Sequence, residues 1–145
     1  MPVAGENSVT ASENSFVIVR NSAGVVVSPS LSLVMPMYNE IDSVEKTLTT
    51  AIESLARNFA DFEIIVVDDG SGDSCGDRVG VWAKRDSRIV LLRKDKNERF
   101  GGALRAGLEA ATKDLIFYTD FDLPVDPGFF PEVVESLTAS DVVTG

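Results

Sequence analysis

Asp120 and Asp122 stand two residues apart at the end of an uncharged run, Leu115 to Thr119. If the extended geometry of that run persists, both carboxylates point to one side, about 6 to 7 Å apart, with Phe121 directed away. Two anions held that close call for a cation. A polar strand end running into a turn fits the same residues, so an isolated D-x-D decides nothing. Two further acidic clusters strengthen it. Tyr38, Asn39 and Glu40 follow the apolar stretch LSLVMPM at residues 31–37, and Asp68 and Asp69 follow EIIVV at 63–67 and open a turn-rich acidic loop, Gly70 to Asp73. Each has a plain alternative: Glu40 as an acid favoured at a helix N-terminus, Asp68 or Asp69 as a loop cap beside Gly70, Tyr38 as ordinary packing. The chain contains no histidine, which removes a Ser-His-Asp triad, a Cys-His pair and a His-based zinc site. Catalysis must then rest on carboxylates, a hard metal, or both.

The segment 93–105 is locally basic in an acidic chain. Arg93, Lys94, Lys96, Arg99 and Arg105 outnumber Asp95 and Glu98, and the segment leads into Gly101 and Gly102 at an expected helix start. A helix N-terminus with glycines and nearby cations can approach a phosphate, although a charged loop facing water fits equally well. Hard oxygen ligands beside such a helix start suggest Mg²⁺ or Mn²⁺ shared between protein carboxylates and a substrate diphosphate.

These residues need elements to position them. Apolar strands are expected at 31–37, 63–67, 89–92 and 115–119, with a further strand beginning at 141–144. Helices are expected at 42–58, opened by a capping-box-like Asp42 and Glu45, then in a shorter stretch carrying Val79, Trp82 and Ala83 inward, and at 101–112 and 130–137. Alternating strands and helices with continuous apolar strands predict an α/β fold with a mostly parallel sheet covered on both faces. Ligands of such sheets bind beyond the carboxyl ends of the strands, where all three acidic clusters fall. Residues 1–29 read as a flexible leader or a small hairpin of 16–20 with 25–28, and residues 30–145 as the folded unit. The apolar run before Gly145 suggests a domain that continues beyond it. Cys75, Trp82, Met35 and Met37 read as core or loop filling.

At 145 residues, with 13 basic and 23 acidic side chains and a net charge of −10, the chain is about one domain long and carries the wrong sign for a nucleic-acid surface. No apolar run reaches membrane-spanning length and no signal peptide is visible. One cysteine excludes an intramolecular disulfide and fits a reducing compartment.

Four ordered motifs, VMPMYNE at 34–40, EIIVVDDGSGD at 63–73, GGALRAGLEAA at 101–111 and FYTDFDLPVDP at 117–127, resemble glycosyltransferase family 2 with its GT-A fold, most nearly the polyprenyl-phosphate (dolichol-phosphate) mannosyl- and glucosyltransferase group. The resemblance covers residues 30–145. It implies that Pro36, Tyr38 and Glu40 line a nucleotide pocket, that Asp69 contacts the base with Asp68 beside it, and that Gly101, Gly102 and Arg105 lie near phosphates or sugar. It implies Asp120 and Asp122 as the metal pair, Asp122 the direct ligand, with Mg²⁺ or Mn²⁺ as cofactor. The implied reaction is inverting transfer from GDP-mannose or UDP-glucose to a polyprenyl phosphate, in the cytoplasm or at the cytoplasmic face of a membrane, with the catalytic base beyond Gly145. In one departure, Asn97-Glu98-Arg99-Phe100-Gly101-Gly102 stands where many relatives read N-x-G-x-G-G, so that Arg93, Lys94, Lys96, Arg99 or Arg105 would supply the loop's charge. A sugar-nucleotide pyrophosphorylase would show a glycine-rich loop after the first strand, and a dinucleotide-binding enzyme G-x-G-x-x-G; neither is present. A non-catalytic nucleotide-binding module remains a competing reading.

Overall fold

The computed structural model describes residues 16–20, 29–122 and 142–144. The strands are β1 (Phe16–Arg20), β2 (Leu31–Met37), β3 (Phe62–Asp69), β4 (Ile89–Lys94), β5 (Leu115–Thr119) and β6 (Val142–Thr144). The helices are α1 (Val44–Asn58), α2 (Cys75–Arg85) and α3 (Arg99–Ala110). The strands form a six-stranded sheet in the order β4-β3-β2-β5-β1-β6. β2 pairs in parallel with β3 and β5, and β3 with β4. β1 is antiparallel to both β5 and β6.

The uncharged strands are where the sequence demands burial. Every residue of β5 is buried, as is every residue of β2 except Pro36. Their side chains alternate between two cores. Leu31, Leu33, Met35, Ile64, Val66 and Phe117 face α1 and α2, whose Val44, Leu48, Ala51, Leu55 and Val79 complete that layer. Val34, Ile65, Val67, Ile116 and Tyr118 face α3 on the other side. There α3 lies so close to β2 that a Cβ on Gly107 would stand 2.2 Å from Val34 Cγ1.

The helical periods lie where the sequence places them, with differences at the ends. The first helix begins as a 3-10 turn, Ile41–Ser43, and the capping box does not form. The Glu45 carboxylate that would close the box accepts instead from Arg78 at 3.1 Å and from the Trp82 indole N–H at 3.2 Å, and the Ile41 N–H just ahead donates to Asp73 at 3.0 Å. α3 stops at Ala110 because Ala111 is extended and the Thr112 N–H donates to Glu63 at 2.8 Å. Trp82 and Ala83 are partly buried against the first core, while Met35, Met37 and Cys75 are fully within it. The larger difference concerns residues 16–20. They form a strand, but its partners are β5 and β6 in the main sheet. The sheet therefore takes in residues on the N-terminal side of Pro29. The expected hairpin partner at 25–28 and the expected helix at 130–137 lie outside the described residues.

Candidate functional site

From β2 through β3 to β4 the chain steps across the sheet in one direction, and α3 carries it back to β5 on the other side of β2. The order reverses between β2 and β5, the place where open α/β sheets bind ligands. The two strands also part there. Their ladder ends at the Val34 and Tyr118 pair, whereas β2 stays paired with β3 as far as Met37 and Asp68. Pro36, with no N–H to offer a ladder, stands past that last pair. A cleft of about 460 Å³ opens here.

Pro36, Met37, Tyr38 and Glu40 form one wall of the cleft at the end of β2. Tyr38 is 49% exposed, a large aromatic surface left open to it. Asp69 closes the cleft from β3, and Asn97 and Ala103 from the α3 side. Asp120, Phe121 and Asp122 form the wall after β5. The acidic strand ends therefore converge, and four carboxylates, those of Glu40, Asp69, Asp120 and Asp122, share one cleft.

Asp68 does not share it. Strand alternation sends the adjacent aspartates to opposite faces of the sheet. Asp69 is buried on the α3 face, where its Oδ1 accepts the Glu98 N–H at 2.9 Å. Asp68 is buried toward α2: it accepts the Ser71 N–H at 3.1 Å and lies 3.5 Å from the Arg93 guanidinium. A Cβ on Gly76 would fall 2.1 Å from its Oδ2 and 2.8 Å from the Arg93 guanidinium, so a side chain at the first turn of α2 would push that pair aside.

The strand geometry that predicted parallel carboxylates ends at Thr119, and Phe121 and Asp122 form a turn. Both acids line the cleft nonetheless. Phe121 is drawn into the first core, and Asp120 and Asp122 are left exposed on either side of it. Partial burial of Asp120, and then the charge of Asp122, push the Asp120 carboxyl above its usual range. No ion pair reaches either acid among the described residues. No cluster of three or more metal-ligating side chains occurs among them either. Two hard oxygen donors suit Mg²⁺ or Mn²⁺, which commonly take one or two carboxylates and complete their shell with phosphate oxygens and water. The residues present fit such an ion.

The basic segment is differently disposed from the expectation. Gly101, Gly102 and Arg105 do not line the cleft; Arg105 points outward, pairing with Glu109 at 3.0 Å. Arg93 pairs with Asp77 at 2.7 Å, and Lys94 pairs with Glu98. The segment reaches the cleft through Asn97, the first residue of the loop set against N-x-G-x-G-G, and through Ala103, neither of which has a role in the sequence reading. The available signal was a helix start expected beside the strand ends, which brings the residues around it to the cleft.

The sequence matches the family model for glycosyl transferase family 2 over residues 32–145. It is 35% identical over 130 residues to the glycosyltransferase AglD of Haloferax volcanii, an alignment covering 87% of this chain and 21% of that protein. It is 33% identical over 116 residues to the undecaprenyl-phosphate 4-deoxy-4-formamido-L-arabinose transferase of Edwardsiella ictaluri, covering 79% of this chain and 36% of that one. Among solved structures, the mannosyltransferase PcManGT from Pyrobaculum calidifontis, in complex with GDP-Man and Mn²⁺, superposes with a TM-score of 0.66 at 25% identity, covering 77% of this chain and 33% of that one. S. aureus TarS superposes at 0.57 with 22% identity over 76% of this chain and 32% of that one, and shows the fold alone. The chain thus spans about a third or less of these proteins' length. No helix among the described residues is long and apolar enough to cross a membrane. With a mostly parallel sheet, a cleft at its switch point and these likenesses, the fold is GT-A and the chain belongs to glycosyltransferase family 2.

Proposed function

We propose that this chain carries the donor side of an inverting sugar transfer from a nucleotide-diphosphate sugar, GDP-mannose or UDP-glucose, to a polyprenyl phosphate. The observation that carries the reading is the convergence of Glu40, Asp69, Asp120 and Asp122 on one cleft at the reversal of strand order. Four carboxylates on one wall-to-wall opening repel each other, an arrangement that scaffolding alone does not require. The solved neighbour holding GDP-Man and Mn²⁺ supports the donor and cofactor, and the undecaprenyl-phosphate transferase supports a lipid-phosphate acceptor. With a lipid acceptor, this reading sets the reaction at a membrane surface, on the cytoplasmic side where nucleotide sugars are made available.

In this reading the nucleoside lies along the β2 and β3 ends. Tyr38 offers a face on which the base stacks. Glu40 accepts hydrogen bonds from the ribose hydroxyls. Asp69, held by the Glu98 N–H, presents its remaining acceptor capacity to the base. Asp120 and Asp122 hold Mg²⁺ or Mn²⁺, with Asp122 the direct ligand; when bound, the ion supplies positive charge to the diphosphate leaving group. A polyprenyl phosphate arrives already anionic, so its oxygen needs little help from a general base to attack the anomeric carbon opposite the diphosphate.

Calorimetric titration with GDP and UDP, with and without Mn²⁺, tests the site. Binding of at least one nucleotide should strengthen with Mn²⁺, and Asp122→Ala should remove most of that gain, about tenfold or more in Kd. Binding that is equally tight without metal, or a variant that keeps the full Mn²⁺ effect, would refute the assignment.

A further inference from the structure

Tyr38 and Glu40 lie in a short irregular stretch between β2 and the first helical turn, yet they must hold a fixed pose to recognise a nucleoside. What holds them comes from a different loop, Ser71–Asp73 after β3. The Asn39 N–H donates to Ser71 Oγ at 3.0 Å, and in return the Gly72 N–H donates to Asn39 Oδ1 at 2.9 Å. Asn39 is in the left-handed region, with φ of 52°, a conformation asparagine tolerates better than most residues. The Ile41 N–H donates to Asp73 Oδ2 at 3.0 Å, and the other oxygen of the same carboxylate accepts the Cys75 N–H at the start of α2, also at 3.0 Å. Glu40 therefore sits between two tethered amides, and Tyr38 immediately before the first of them. The donor loop is itself fixed from behind, because buried Asp68 accepts the Ser71 N–H.

We propose that Ser71 and Asp73 are positioning residues for nucleotide binding, acting through the backbone of Asn39 and Ile41 to set Tyr38 and Glu40 in the cleft. Neither lines the cleft, so neither is expected to touch the nucleotide. Asp68, by anchoring Ser71, belongs to the same device rather than to the nucleotide pocket. The inference rests on the donor-site reading above and adds the means by which one wall of that site is held.

Ser71→Ala removes only the hydroxyl that receives the Asn39 amide, and Ser71→Thr restores it. Asp73→Asn removes one of two carboxylate acceptors. Nucleotide affinity with Mn²⁺, measured with both GDP and UDP, should fall roughly three- to tenfold in Ser71→Ala and Asp73→Asn, the factor for one hydrogen bond of ordinary strength, and should return in Ser71→Thr. Amide hydrogen exchange should quicken at Asn39 in the first variant and, in the second, at Ile41 or Cys75, whichever amide the new side-chain NH2 faces, with β3 amides as protected as before, which a general loss of stability would not produce. Unchanged nucleotide affinity in both variants would overturn the positioning role while leaving the donor site standing. Failure of the unsubstituted protein to bind either nucleotide would bring down the donor site and this inference with it.

Discussion

Asp120 and Asp122 face a conflict that the geometry makes quantitative in direction. Partial burial and the Asp122 charge both disfavour ionisation of Asp120, so its carboxyl holds its proton to a higher pH in the folded chain than the ordinary aspartate value of 3.8. A carboxyl with a raised folded pKa favours folding while protonated and opposes it once ionised; its contribution is present below 3.8 and lost as pH rises through the raised value. In metal-free protein, Asp120→Asn should therefore raise the melting temperature at pH 7, by roughly 1–3 °C because solvent in an open cleft screens the repulsion. The gain should vanish below the ordinary carboxylate range. Added Mn²⁺ should stabilise the unsubstituted protein and reverse the order of the two, since only intact carboxylates bind it well. Equal melting temperatures at pH 7 without metal would show that the two acids do not repel. Asp73 has the opposite sign: the Cys75 thiol and the Ile41 and Cys75 amides hold its carboxyl below the usual range, against a smaller opposing effect of burial. Burial and the Asp73 carboxylate in turn push the Cys75 thiol up, which keeps it protonated and unreactive.

Elements were the most legible level of the sequence. β2 and β5 follow their apolar runs residue for residue, because strands buried on both faces leave no charged position inside. The division of labour between Asp68 and Asp69 was half legible. A period of two places them on opposite faces, but which face looks into the cleft depends on where α3 crosses, and that is a tertiary fact. The capping box is illegible for a related reason: Arg78 and Trp82, thirty-odd residues away in sequence, hold the Glu45 carboxylate that local chemistry reserves for the Asp42 amide. The crossing of α3 also gives Gly107 its meaning. A methyl group there would meet Val34 Cγ1 at 2.2 Å with Val67 Cγ2 at 3.4 Å, in the middle of the second core. Gly107→Ala should destabilise the protein by about 1–3 kcal/mol, the usual cost of overfilling a tight contact, even though alanine is the better helix former by about 1 kcal/mol. Urea unfolding checks this through its midpoint. A stabilised variant would mean that α3 can lift off β2 without penalty, and the close approach would lose its structural significance.

At the scale of the whole molecule, the least legible feature is β1. Its residues pair with β5 across about a hundred positions of sequence, Phe16 with Thr119 through to Arg20 with Leu115, and no local pattern encodes so distant a partner. A leader or a local hairpin was the natural reading of a short apolar run set among Ser, Asn and Gly. The pairing ties the β5 wall of the cleft to residues outside the expected folded unit. β5 is held by β2 on one side and β1 on the other, and it leads directly into Asp120 and Asp122. Removing residues 1–20 should strip one ladder from β5 and expose a fully buried, uncharged strand edge, a ready template for pairing with another chain. The shortened protein should accordingly aggregate at concentrations where the unshortened one stays dispersed, seen by light scattering. Its Mn²⁺-dependent nucleotide binding should weaken more than its metal-independent binding, because the loss falls on the β5 wall rather than on the β2 and β3 ends. A shortened protein that stays dispersed and keeps its full Mn²⁺ effect would show that β1 extends the sheet without supporting the site, and that residues 1–20 are dispensable for binding.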